Sequence, residues 1–240
     1  MEIREFETLE STNIYCGLLD LGKVEEFTFI WAHEQTAGIG QRGNKWESEQ
    51  GKNLTFSIVL HPVFLSAGDQ YRLTKTLALG VSDWLQRKGV EATIKWPNDI
   101  YVGRRKICGI LTENRIATTY ESAICGIGLN INQSLFPKEL SAAVSLSQLT
   151  GKEYDLRQSL EEIVGAISHR YDQLHKTPET IDDDYIARLL NLGKRAIYLY
   201  RGEEIGATIE GVNQFGHLQL VTDKGEHIEC AMKEIELLLK

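Results

Sequence analysis

The chain has 240 residues, 42% of them hydrophobic, enough to bury a real core and to fill one ordinary domain with a small one beside it. Its formal charge of -8 excludes a broad nucleic-acid surface, because duplex binding draws its affinity from neutralised phosphates. No stretch approaches the roughly 20 apolar residues of a membrane span, and Met1 leads into Glu2, Arg4 and Glu5 instead of an apolar signal core, so a cytoplasmic protein without membrane contact is expected.

In chain order, Ser11-Thr12-Asn13 supplies polar N-cap candidates for a short helix with an apolar face at Ile14, Leu18, Leu19 and Leu21. Phe27 to His33 reads as a strand. After a glycine-rich loop, Leu54, Phe56, Ile58 and Leu60 alternate with smaller or polar residues at the period of a half-buried strand. Leu73, Leu77, Val81 and Leu85 predict a helix that ends before Gly89. Thr93 to Trp96 and Ile100 to Val102 are short strands, and Gly103-Arg104-Arg105 is the turn of a hairpin returning through Lys106 to Leu111. Tyr120 to Asn132 is a further strand, with Gly126 and Gly128 where a backbone or ligand comes close. The stripe Leu156, Leu160, Ile163, Val164, Ile167, Tyr171 and Leu174 predicts a long helix, and a shorter one follows Pro178.

From Ala196 the texture changes to strands separated by turn signals at Arg201-Gly202, Asn213 to Gly216 and Asp223 to Glu226, a small all-β barrel candidate. The expected architecture is α+β, a mixed and largely antiparallel sheet with flanking helices over residues 1–192, followed by the small barrel over 193–240. The four cysteines, Cys16, Cys108, Cys125 and Cys230, lack C-x-x-C spacing and nearby metal-register histidines, and read as reduced, buried thiols.

Gly38-Ile39-Gly40-Gln41-Arg42-Gly43 matches G-x-G-x-x-G after a strand, but a Rossmann fingerprint must open a helix, and Asn44 to Glu49 carries no apolar helical period. A protein-kinase loop is excluded by the lack of H-R-D and D-F-G elements. What survives is a loop whose glycines let backbone N–H groups turn toward an anion, with Arg42 and Lys45 adding charge and Trp46 a flat apolar face. Lys52, Lys95, Arg104, Arg105 and Lys106 are the other basic residues near these motifs, read either as solvated charge or as the wall of a pocket for a small polyanion.

Lys95-Trp96-Pro97-Asn98-Asp99 places an ammonium, an amide and a carboxylate in one proline turn. Lys106 to Leu111 follows as K-x-x-G-I-L, with Gly109 leaving room on a strand, and Gly126-Ile127-Gly128-Leu129-Asn130 repeats that device. In the order and spacing of these segments, together with Ser11 to Asn13 and Gln35 to Trp46, the chain resembles the biotin protein ligases over essentially its whole length. The resemblance implies a catalytic fold similar to class II aminoacyl-tRNA synthetases and a C-terminal SH3-like barrel. It implies ATP and biotin as substrates, magnesium, and a biotin carboxyl carrier protein as the acceptor of biotin on a lysine.

By the same resemblance, Lys106 is the key cation, contacting the biotin carboxylate and the phosphate, with Arg42 and Asp99 beside it in catalysis. Asp99 stands open as an orienting partner of Lys106 or a magnesium ligand. Ser11, Thr12, Asn13, Gln35, Gly38, Ile39, Gly40, Gln41, Gly109 and Gly128 fall at biotin-binding positions, and polar groups there reject analogues lacking the matching donors and acceptors. Arg42, Gly43, Lys45, Trp46, Lys95, Asn98 and Asn130 fall at nucleotide-binding positions. The family's loop commonly carries arginine where Ile39, Gln41 and Asn44 stand here, which lowers the loop's charge. About ten residues precede Ser11, too few for the helix-turn-helix of repressing members, so no nucleic-acid partner is expected, and a homodimer is compatible with the sequence. A lipoate ligase is the nearest alternative, and a catalytically weakened biotin sensor is an alternative of another class, opposed by the retention of Lys106, Asn98 and Asp99.

Overall fold

The computed structural model describes residues 2–117 and 120–238, with the side chain of Arg42 outside the description. Seven strands, β1 (Glu2–Leu9), β2 (Thr28–Gln35), β3 (Leu54–Leu60), β4 (Thr93–Lys95), β5 (Asp99–Val102), β6 (Arg105–Ile116) and β7 (Tyr120–Leu129), form one sheet in the order β1-β2-β3-β7-β6-β5-β4. β1 runs parallel to β2, and the other neighbours are antiparallel.

Because successive side chains alternate across a strand, each central strand feeds two environments. Leu54, Phe56, Ile58 and Leu60 enter the main core, whereas Val59 joins a smaller cluster with Cys16, Leu21, Val24, Ile30 and Ile124, so β3 is buried along both faces and not half-buried as its alternation predicts. Helices α2 (Gln70–Arg87), α4 (Leu156–Lys176) and α5 (Pro178–Ala187) pack together over the main core, while the short α1 (Thr12–Gly17) packs against β2, β3 and β7, and a further short helix, α3 (Leu146–Thr150), precedes α4. The crossing of α2 and α4 is close enough that a Cβ on Gly80 would lie 2.8 Å from the Ile167 Cα. Burying each large apolar side chain of these stripes contributes about 1.5–3 kcal/mol.

Strands β8 (Arg195–Tyr200), β9 (Glu203–Val212), β10 (Leu218–Thr222), β11 (His227–Cys230) and β12 (Ile235–Leu237) form a second, antiparallel sheet in the order β11-β10-β9-β8-β12. The strands expected of a small barrel are present, but they form a five-stranded sheet and not a closed barrel, with no pairing between β11 and β12 among the described residues. Its turns fall at the anticipated signals, with positive φ at Arg201, Gly202, Gly216 and Gly225. The sheet docks through the β9–β10 turn. Trp96 Nε1 donates to Gly216 O at 2.9 Å, and Gly216 lies so close to the Tyr71 ring that a Cβ would come within 2.5 Å of it.

Three elements depart from the sequence reading. β1 was not anticipated, because an edge strand dominated by charged residues buries little and shows no strong period. β7 ends at Leu129, since Asn130 N turns to Ile107 O and Asn132 N to Lys52 O. Leu18 lies beyond the end of α1 and is 81% exposed, so the apolar face of that helix is shorter than expected.

Candidate active site

A cavity of about 230 Å³ lies on the α1 face of the large sheet and reaches the C-terminal sheet. Its floor follows from register. Asp99 pairs with Gly109, Gly109 with Gly128 and Gly128 with Thr55, and the next rung joins Leu111, Gly126 and Ser57. Where two strands present three glycines, Gly109 on β6 and Gly126 and Gly128 on β7, side chains from elsewhere fill the space. A Cβ on Gly126 would sit 2.2 Å from Asn13 Oδ1, and one on Gly128 would sit 2.2 Å from Trp46 Cε2.

Lys106 and Gly109 share this floor although a separation of three residues puts them on opposite faces of a regular strand. The register of β5 on β6 slips between Ile100 and Tyr101, so Ile100 pairs with Cys108 and Tyr101 with Lys106. This bulge reverses the alternation, sending both Ile107 and Cys108 into the core and Lys106 to the cavity. Lys106 Nζ lies 2.7 Å from Asp99 Oδ1 and 5.7 Å from the centre of a Trp46 ring. The backbone of Lys106 is fixed from behind, its N–H donating to Ala142 O and its carbonyl accepting from Val144 N.

One end of the cavity is built from hydrogen bonds. Gln35 Oε1 accepts from Thr12 N at 2.7 Å and from Thr12 Oγ1 at 3.1 Å, while Ser11, Thr12 and Asn13 are nearly fully buried. Along another wall, Lys95 Nζ lies 5.4 Å from the centre of the Tyr101 ring, and Asn98 Nδ2 donates to Ile110 O. Burial, then the negative charges of Asp99 and Glu236, push the Tyr101 phenol up to about 12, so it stays a neutral ring beside the site. Burial also raises the Cys108 thiol beneath the floor, which makes it a poor nucleophile.

Of the anticipated residues, Ser11, Thr12, Asn13, Gln35, Ile39, Gly40, Gln41, Lys45, Trp46, Lys95, Asn98, Asp99, Lys106, Gly109 and Gly128 line the cavity. Gly38, Gly43 and Asn130 are not brought to its wall. Gly38 instead packs under Trp46, its missing Cβ falling 2.5 Å from Trp46 O, and Asn130 Nδ2 donates to Val144 O at 3.2 Å, bracing the segment behind Lys106. Arg42 has its side chain outside the described residues. The sequence reading missed Ser57 behind Thr12 and the wall supplied by Tyr198, Ile209, Leu218, Ile235 and Glu236. It also missed Tyr71 and Tyr185, whose hydroxyls lie 2.7 Å apart, with Tyr71 donating at 2.7 Å to the Pro97 carbonyl and so holding the Lys95–Asp99 turn. Nothing local marks these residues, because their partners lie far along the chain.

The sequence profile of the Biotin/lipoate A/B protein ligase family matches residues 5–130, more than half of the chain. This chain belongs to that family. It is 35% identical over 170 residues to the bifunctional ligase/repressor BirA of Bacillus subtilis, a match covering 69% of this chain and 52% of that protein, so the chain spans about half the length of that relative. It is 28% identical over 211 residues to the biotin–[acetyl-CoA-carboxylase] ligase of Paracoccus denitrificans, covering 83% and 86% of the two chains. In three dimensions it superimposes on the biotin protein ligase of Aquifex aeolicus in complex with biotin and ATP, with a TM-score of 0.84, 26% identity, and 99% and 98% of the two chains covered.

Magnesium finds no cage of protein ligands to enter among the described residues, where no group of three or more His, Cys, Asp and Glu side chains converges on one point. The donor set fits an ion that arrives on nucleotide phosphates and takes at most one or two carboxylates from the protein, with Asp99 the carboxylate beside Lys106.

Proposed function

We propose that this protein is a biotin protein ligase that joins biotin to ATP as biotinyl-5'-AMP and passes biotin to a lysine of a biotin carboxyl carrier protein. The observation that carries this reading is the position of Lys106. An ammonium held by Asp99 stands between a buried hydrogen-bonding end and a glycine-rich loop, where two anions would have to meet. A carboxylate oxygen of biotin attacks the α-phosphorus, the bond to the β-phosphate breaks and pyrophosphate leaves. Both reactants are anionic, so fixed positive charge at their junction lowers the barrier more than it stabilises either alone. Magnesium bound with ATP would supply further charge on its phosphates. In the second step the acceptor lysine's amine attacks the biotinyl carbonyl and AMP departs, which asks for no nucleophile from this chain.

Within this reading Ser11, Thr12, Asn13 and Gln35 take the ureido ring of biotin, and Lys45, Trp46, Lys95 and Asn98 take the nucleotide. Asp99 orients Lys106, an assignment supported by their 2.7 Å ion pair. We read the second sheet as an SH3-like module beginning near residue 193, beside a catalytic part of residues 1–192. The family's name covers lipoate as well as biotin ligases, and the test separates them. Exchange of labelled pyrophosphate into ATP should depend on biotin and not on lipoate, and mass spectrometry should find one biotinyl group on a biotin carboxyl carrier domain. Equal exchange with both acids, or no modified carrier, overturns the reading.

A further inference from the structure

Ser57 does not line the cavity, yet it is fully buried directly behind Thr12 and Asn13, which do. Its Oγ lies 2.7 Å from Thr12 Oγ1 and 2.6 Å from Asn13 Oδ1. A serine hydroxyl has one proton to give, so it cannot donate to both. Asn13 decides the matter. Its Nδ2 donates to Glu113 Oε2 at 3.3 Å, which turns Oδ1 inward as a pure acceptor. The Ser57 proton therefore goes to Asn13, because the reverse leaves two oxygens 2.6 Å apart with no proton between them.

The Ser57 oxygen, its own proton committed, then accepts from Thr12. Thr12 has two protein acceptors for its proton, Ser57 Oγ at 2.7 Å and Gln35 Oε1 at 3.1 Å, and the shorter contact favours Ser57. A proton given to Gln35 would leave the Thr12 and Ser57 oxygens 2.7 Å apart with none between them, so it goes to Ser57, and the Thr12 oxygen offers lone pairs to the cavity. Gln35 Oε1 is likewise engaged by Thr12 N, which leaves Gln35 Nε2 as that side chain's donor. Gly126 makes room for this chain of bonds, since any side chain there would displace Asn13.

We propose that Ser57 and Glu113 are positioning residues that set the donor and acceptor polarity of the biotin-binding wall, through Asn13, so that Thr12 meets a ligand N–H as an acceptor. This rests on the reading of the cavity as a biotin site. The ligand chemistry it selects is a cyclic urea, whose N–H groups need acceptors and whose carbonyl needs donors. An acceptor buried in this way discriminates strongly against a ligand with no N–H to offer.

The experiment measures biotin-dependent pyrophosphate exchange for the wild type, Ser57→Ala and Glu113→Gln, with biotin and with a biotin N-methylated on the ureido ring. For Ser57→Ala the KM for biotin should rise about tenfold, while kcat and the KM for ATP stay within about twofold. The wild-type preference for biotin over the N-methyl analogue should shrink by a similar factor, which a merely structural role for Ser57 would not produce. Glu113→Gln, a change at an exposed side chain that leaves the buried packing intact, should give the same pattern at about threefold, because its amide can present either an oxygen or an N–H to Asn13. An unchanged biotin KM and unchanged preference in either folded variant overturns the proposal. A wild type that exchanges pyrophosphate without regard to biotin overturns the biotin reading itself, so the two failures are told apart.

Discussion

The two ends of the cavity are held in different ways. At the end formed by Ser11, Thr12, Asn13 and Gln35, the first three are at most 4% exposed, and Thr12, Asn13 and Gln35 are linked to one another or through Ser57 by hydrogen bonds of 2.6 to 3.1 Å. At the other, the loop from Gly38 to Trp46 leaves Gly43, Asn44 and Lys45 exposed and is closed by a bridge between Ile39 and Lys45 and by the indole lying on Gly109 and Gly128. The first arrangement resists change, because altering one member leaves the others buried and unsatisfied. The second is open to change, because few contacts oppose it. On the proposed function, recognition falls to the first region and retention of the reacting groups to the second, with Lys106 between them.

The largest effect should come from the group at the junction. Lys106→Ala should lower the rate of adenylate formation by at least about 100-fold, since a charge aimed at a transferring phosphate contributes roughly 3 kcal/mol to the transition state. Lys106→Arg should also fail substantially, the guanidinium fork being larger and differently hydrated than the ammonium that pairs with Asp99. Single-turnover adenylation measures the rate, and equilibrium dialysis measures biotin binding. If the two ends are separate in function, Lys106→Ala should keep its preference for biotin over a ureido-modified analogue. Near-normal adenylation by Lys106→Ala would place the catalytic cation elsewhere.

A pair of glycine substitutions contrasts the two regions directly. Gly126→Ala pushes a methyl into Asn13 Oδ1, 2.2 Å away, at a side chain pinned on two sides. An insertion of that kind costs about 2 kcal/mol, so the KM for biotin should rise about 30-fold. Gly40→Ala points its Cβ at the Asn44 carbonyl 3.3 Å away, in an exposed loop with an ordinary backbone conformation at Gly40, and should change the same KM less than about threefold. Similar losses in both variants would mean that the loop is as tightly constrained as the hydrogen-bonded end.

How far the sequence could be read follows the same division. Period-2 and period-3.6 patterns revealed β3, α2 and α4, because each buries a continuous stripe against the core. The motif segments revealed the cavity, since Ser11 to Asn13, the glycine loop, Lys95 to Asp99 and Lys106 to Gly109 do converge on it. The spacing of Lys106 and Gly109 could not show why they converge, because that depends on a bulge fixed by pairing with β5. Ser57 was invisible for another reason. In sequence it is one small residue within a buried strand, and its importance comes from facing Thr12 and Asn13, 45 and 44 positions away. Asn130 looked like a ligand residue for its motif, but its amide is turned toward Val144 O.

The smallest of these effects concerns Gln41, which lines the cavity at a position where the resemblance to biotin ligases suggests arginine. A guanidinium can hold a phosphate through two charge-assisted hydrogen bonds, whereas a neutral amide offers weaker ones. The difference is about 1–2 kcal/mol, or roughly 5- to 30-fold in residence time. Biotinyl-5'-AMP should therefore leave this protein readily, and Gln41→Arg should slow its departure by that factor. Adenylate formation should not slow, since the substitution adds positive charge beside the reacting anions and removes none. The hydrogen-bonded end predicts a further asymmetry, because the bonds of Ser57 run to Thr12 and Asn13 and not to Gln41, whose substitution should leave the biotin KM within about twofold. The measurement is the release rate of preformed adenylate from the two proteins at one salt concentration, with labelling of bystander lysines as a second readout. Equal release rates would assign the phosphate to another residue of the loop. A changed biotin KM would show instead that the two ends of the cavity are coupled.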